Sequence, residues 1–117
     1  MKNFNQLLIW QKGFDLAVQS FKLIETFPRE ERFSLSNQIT RAAVSIPSNI
    51  AEGSSRTSEK DYNRFLEHSL GSSFELETQL LIAGAVRYGK EDLRSKMLQE
   101  VNDEQKMLVS FMNKLNK

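Results

Sequence analysis

The chain has 117 residues, enough for one domain around a single core, and its lack of cysteine excludes disulfides, thiolate nucleophiles and cysteine-based metal sites. Sixteen Lys and Arg against fifteen Asp and Glu leave a net charge of +1, so any attraction for nucleic acid has to come from a local patch. The apolar run near the start, Leu7 to Trp10, is too short for a signal-peptide core or a membrane span, so a soluble, cytoplasmic protein without membrane contact is expected.

Helical spacing dominates from there on. In the first segment Leu7, Trp10, Phe14, Ala17, Val18, Phe21 and Ile24 recur in steps of three and four, which predicts one apolar stripe. Lys12, Asp15, Gln19 and Lys22 take the other side, and Pro28 ends the pattern. The second segment puts Leu35, Ile39, Ala42, Ile46 and Ile50 on one face, with Gly53 expected as a left-handed stop. Ser58 reads as the N-cap of the third segment, with Asp61 three residues on. That segment carries Tyr62, Phe65, Leu66, Ser69, Ser73, Leu76, Leu80 and Ala83, widened by Phe74 and Leu81, and Gly89 punctuates its end. The fourth shows Leu93, Met97, Val101, Leu108, Phe111 and Leu115, broadened by Leu98, Met107 and Met112. No stretch alternates with period two for long enough to make a strand. The expectation is all-α: a single domain over residues 1–117, folded as an antiparallel up-down four-helix bundle.

One stretch, RAAVSIPSNIAEGSSR from Arg41 to Arg56, departs from ordinary helix composition. Pro47 removes one backbone bond and crowds the carbonyl of Ala43, a defect of about 3 kcal/mol in a helix interior. Ile46 and Ile50 keep the phase of Ile39 across it, so a kink is expected rather than an end, with Ser45 or Ser48 available to the freed carbonyl. Arg41, Ser45, Ser48, Asn49 and Glu52 form a polar stripe beside the apolar one, and Ser72, Glu75 and Gln79 form another on the third segment. Such a stripe is either a solvated face or a second contact face, on which Arg41 can pair with Glu75 or Glu77.

Enzymatic chemistry finds little footing. A di-metal bundle site needs Glu-x-x-His pairs, whereas the single histidine, His68, follows Phe65 by three and reads as a partly exposed structural residue. Ser69, Ser72 and Ser73 lie near His68 in sequence but do not make a nucleophile–base pair, and Glu75 and Glu77 diverge. No catalytic residue, metal ligand or cofactor motif is assigned. The candidate nucleic-acid contacts are Arg56, Lys60 and Arg64 around the start of the third segment and Arg87, Lys90 and Arg94 around the next loop, each group interleaved with acids.

QITRAAVSIPSNIAEGSSR followed by FLEHSLGSSFELETQL resembles the four-helix-bundle family of 23S rRNA-intervening-sequence proteins, also labelled S23-type ribosomal proteins. The positions that carry the resemblance are Arg41, Ala42, Ala43, Ser45, Ile46, Asn49, Ile50, Ala51, Glu52, Gly53, Arg56, Phe65, Leu66, Gly71, Ser72, Glu75 and Leu76. The opening Leu8 to Gly13 and the closing KMLVSFMNKL also look like the family. The resemblance implies a non-enzymatic bundle that assembles into a pentameric ring. It also implies kinship with the accessory proteins of diversity-generating retroelements, which are basic barrels thought to bind nucleic acid and a reverse transcriptase. Two functions then compete: a homo-oligomeric scaffold that engages structured RNA or a nucleic-acid-handling protein, and a pure protein-interaction module, which the near-neutral charge favours. On either reading Arg41, Ser45, Asn49, Glu52, Ser72 and Glu75 are expected as a polar network that specifies the assembly.

Overall fold

A computed structural model describes residues 3–31 and 33–116, and each of the four apolar patterns is a helix in it. They are α1 (Leu8–Ile24), α2 (Leu35–Ser54), α3 (Glu59–Ala85) and α4 (Glu91–Leu115), with short 3-10 turns at Phe4–Gln6 and Arg29–Glu31. No strand occurs among the described residues. α1 packs on α2 and α4, and α3 packs on the same two, so α1 and α3 stand at opposite corners.

The helix starts follow from local polar chemistry. Ser58 Oγ accepts the Asp61 amide at 3.1 Å and caps α3. At α2 the cap comes from upstream: the Glu31 carboxylate takes the Ser34 hydroxyl and the Leu35 amide. Between α3 and α4 the backbone turns through Arg87 at φ 62° and Gly89 at φ 80°, conformations that favour glycine. Arg94 Nη1 donates to the carbonyls of Tyr88 at 2.7 Å and Gly89 at 2.5 Å and holds this turn.

The core is built from the expected faces of α2, α3 and α4, but not of α1. Ile39, Ala42, Ile46 and Ile50 are buried on α2, and Tyr62, Leu66, Ser69, Ser73, Leu76, Leu80 and Ala83 on α3. On α1 the buried stripe is Ile9, Gly13, Leu16, Ser20 and Leu23, continued by Phe27 beyond the helix. The stripe singled out by its aromatics is the outer one. Phe14 and Phe21 are each about half exposed, at 51%, while Trp10, Ala17 and Ile24 are half-buried. Phe74 and Leu81, expected to widen the core face of α3, also point outward.

Small residues explain which stripe goes inside. A Cβ on Gly13 would lie 3.1 Å from Ile46 Cγ2 and 3.4 Å from the backbone nitrogen of Pro47, so α1 and α2 approach closely there. Gly53 does the same between α2 and α3. It is not the expected left-handed stop: it lies inside α2, buried, and a Cβ there would sit 2.9 Å from both Tyr62 Cδ1 and Phe65 Cβ. α2 itself continues through Pro47 to Ser54. In α4 the apolar register of Met97, Val101 and Leu108 includes Glu104, whose side chain is fully buried.

Gly53→Ala should therefore destabilise the fold by about 1–3 kcal/mol, because the methyl group has to displace an aromatic ring and a backbone carbonyl. Urea unfolding followed by circular dichroism measures it, and a loss below about 0.5 kcal/mol would show that the two helices separate at no penalty.

Candidate functional site: the α2–α3 polar groove and the α1–α2 apolar groove

The polar stripes of α2 and α3 face one another and form a groove of about 590 Å³. Its floor is a hydrogen-bonded chain. Ser45 Oγ and Ser72 Oγ lie 2.8 Å apart, and Asn49 Nδ2 donates to the Ser45 hydroxyl at 2.8 Å and to the Ser45 carbonyl at 2.9 Å. Beneath it the Ser69 hydroxyl donates to the Ile46 carbonyl at 2.9 Å, one residue before Pro47. Serines on α3 thus do work that bulky side chains would prevent: they satisfy polar groups while the helices stay close.

Of the remaining members of the expected network Glu75 lines this groove, while Arg41 lines a neighbouring one with Phe21, Val44 and Ser45. Glu52 turns to Arg56 at 2.7 Å on its own helix end. Arg41 and Glu75 are both exposed, and neither makes an ion pair or side-chain hydrogen bond among the described residues. Glu77, the other partner considered for Arg41, accepts from Gln105 Nε2 at 2.9 Å on α4. The expected donors for the Ala43 carbonyl are not used there, since the Ser45 hydroxyl is engaged by Ser72 and Asn49. His68 is exposed on the groove wall, not at the edge of the core, and its ring meets the edge of Phe65 at 6.1 Å. Gly71 has nothing within 4 Å of the position its Cβ would take, so this part of the groove is open to approach from outside.

The two basic groups occupy opposite ends of α3, which at 27 residues is about 40 Å long, so they do not form one patch. Within the first, the guanidinium of Arg56 lies 4.6 Å and that of Arg64 5.0 Å from the ring centre of Phe65. Arg64 also lies 3.7 Å from Asp61, while Lys60 is exposed. Within the second, Arg94 is occupied by the turn carbonyls, and Arg87 and Lys90 are exposed. Among the described residues no cluster of three His, Cys, Asp or Glu is placed to hold a metal ion, and no helix is long and apolar enough to cross a membrane.

A second groove, of about 470 Å³, runs between α1 and α2 and is almost wholly apolar. Trp10 anchors it, stacked on Phe14 at 5.2 Å and met edge-on by Phe4 at 5.3 Å, with Val18, Phe21 and Val44 along its length. These residues were legible as apolar but not as surface. The signal that separates the stripes is the seven-residue recurrence of Ile9, Leu16 and Leu23, with Gly13 and Ser20 hiding it from a count of large residues.

Ser45→Ala should cost about 1 kcal/mol, since it leaves Ser72 and Asn49 without their shared partner. Glu75→Ala should stay within about 0.5 kcal/mol of the parent in the separated chain, because no ion pair or side-chain hydrogen bond holds it among the described residues. Unfolding midpoints of the two variants in the same buffer test this, and equal losses would contradict the assignment.

Comparison with known proteins agrees with the architecture. The chain is similar to a crystal structure from Bacteroides thetaiotaomicron VPI-5482, described as a protein of unknown function from the S23 ribosomal protein family, at 24% identity with a TM-score of 0.83 over 90% of this chain and 98% of that one. No curated protein matches. The sequence pattern of the 23S rRNA-intervening sequence protein family matches residues 5–110, and with the motif of α2 and α3 this places the chain in that family.

Proposed function

We propose that the protein is a non-enzymatic, homo-oligomeric helical scaffold of the cytoplasm. The observation that carries this reading is the apolar surface left over after the bundle has closed. One patch is the α1–α2 groove with Phe14, Val18, Phe21 and Val44; the other is Phe74, Leu81, Ile82 and Val86 on and just beyond α3. Contiguous exposed apolar surface of this kind marks contact sites. The patches differ in composition and belong to helices at opposite corners, so one copy's α3 patch fits the next copy's groove in a head-to-tail contact. Such contacts repeat in one direction and close into a ring when the rotation allows. Five copies, up-down connectivity within each and a bend of α2 at Pro47 complete the proposed assembly. In it Arg41 and Glu75, unpaired among the described residues, pair across copies.

A ring would repeat each basic group around one of its faces and so multiply a weak local charge, which supports RNA or a nucleic-acid-handling protein as the partner of those faces. The family's name, 23S rRNA-intervening sequence protein, points the same way. A second reading, a protein-only module, draws on one observation: Arg56, Arg64 and Arg94 are already engaged within the chain.

Light scattering on a sizing column should give a mass several times 13.5 kDa. Phe21→Glu should reduce it to that of one chain while leaving the helical signal intact, because the charge enters the groove and not the core. A parent that is already monomeric would overturn the reading. Structured RNA should bind the oligomer with an affinity that falls steeply between about 50 and 200 mM salt. A ring that ignores RNA would favour the protein-only module.

A further inference from the structure

The buried acid of α4 and the proline of α2 both lie close beside Gly13 of α1. Glu104 is fully buried, and neither carboxyl oxygen has a hydrogen-bond partner among the described residues. Its Oε2 lies 3.1 Å from where a Gly13 Cβ would be, and the Pro47 nitrogen lies 3.4 Å from the same position. The absent side chain of Gly13 leaves room for both groups beside it. In a helix the nitrogen of residue 47 faces the carbonyl of residue 43, and proline has no hydrogen to give it. No side chain donates to the Ala43 carbonyl among the described residues, and Ala43 is itself buried. A buried residue's carbonyl that has lost its helical amide donor and a buried carboxyl thus lie on the same side of Gly13, and each is costly left alone.

We propose that Glu104 is held as a neutral carboxyl whose O–H donates to the Ala43 carbonyl, so that an acid on α4 closes the backbone gap that Pro47 opens in α2. One protonated side chain then ties α4 to α2 across Gly13, and the joint opens when the proton leaves. Burial pushes the carboxyl up to about 8 from an ordinary 4.5, and the charge of Lys12 on α1 draws it back only in part. The other elements add little opposing charge. α2 presents Ile46 and Pro47, Glu77 on α3 is bound by Gln105, and Glu100 on α4 is bound by Gln19 at 2.6 Å. The sign follows from the raised value. Below about pH 4.5 the proton is on in both folded and unfolded chains and the joint contributes fully. Between there and about pH 8 only the unfolded chain releases it, so stability falls as pH rises; above about 8 the loss is complete.

Two measurements decide the matter. The carboxyl carbon of Glu104, followed by NMR through a pH titration of the unaltered protein, should shift with a midpoint near 8, and a midpoint near 4.5 would overturn the proposal. Glu104→Gln keeps a donor and Glu104→Leu removes it, and neither titrates. At pH 7 the Gln variant should have a folding equilibrium constant about tenfold above the Leu variant. In the Pro47→Ala background, where an amide again serves the Ala43 carbonyl, that difference should vanish. A Leu variant as stable as the Gln variant in the chain that keeps Pro47, or a difference that persists in the Pro47→Ala background, would show that Glu104 does not serve this carbonyl. Should the Pro47→Ala chain fail to fold, the titration and the Gln–Leu comparison decide without it.

Discussion

The close approach of α2 to both α1 and α3 is the constraint from which the rest of the structure follows. α1 comes close to α2 at Gly13, beside Ile46 and Pro47, and α2 comes close to α3 at Gly53, beside Tyr62 and Phe65, with Ser69 of α3 bonded to the Ile46 carbonyl. At such distances large side chains cannot stand between the axes. The bulky residues of α1 are therefore displaced to the flank, where Trp10, Phe14 and Phe21 build an apolar groove instead of a core. The surface that suits the protein for association is thus a by-product of how tightly its helices pack.

This constraint also sets the limits of sequence reading. Four helices, their order and most of the faces of α2, α3 and α4 follow from spacing, because in those helices most of the large apolar residues are buried or half-buried, Phe74, Leu81 and Ile82 on α3 being the main exceptions. α1 breaks that equation. Its buried stripe includes a glycine and a serine, and its outer stripe includes three aromatics, so size points to the wrong side. Gly53 misleads for the same reason: placed near a helix end, it reads as a stop, but its role is to leave room for Tyr62 and Phe65. Glu104 sits in the apolar register between Val101 and Leu108, and a count of apolar residues passes over it as a gap. In the polar groove, the Ser45–Ser72–Asn49 cluster occupies the expected stripe, whereas the roles of Arg41 and Glu75 do not show in one chain.

Two kinds of polar group coexist in this bundle. Those on the α2–α3 groove are short, mutually satisfied and near water. They fix the register of two helices at little desolvation penalty. Glu104 is the opposite case, an ionisable residue fully buried in the core where α4 comes close to Gly13 of α1. Its retention makes physical sense when Pro47 is considered with it, since each supplies what the other lacks. On the proposal above, the proline of α2 and the buried acid of α4 form one device.

The most direct test of a covered α1–α2 groove uses the single tryptophan, which lies in that groove. Acrylamide quenching of Trp10 is measured in the parent protein and in a monomeric groove variant at equal concentration. If a second copy covers the groove, the parent's emission is blue-shifted and resists quenching, while the variant's is red-shifted and quenched readily. The same emission and the same quenching in both would mean that the groove faces water in the native protein, and the assembly proposed here would be wrong.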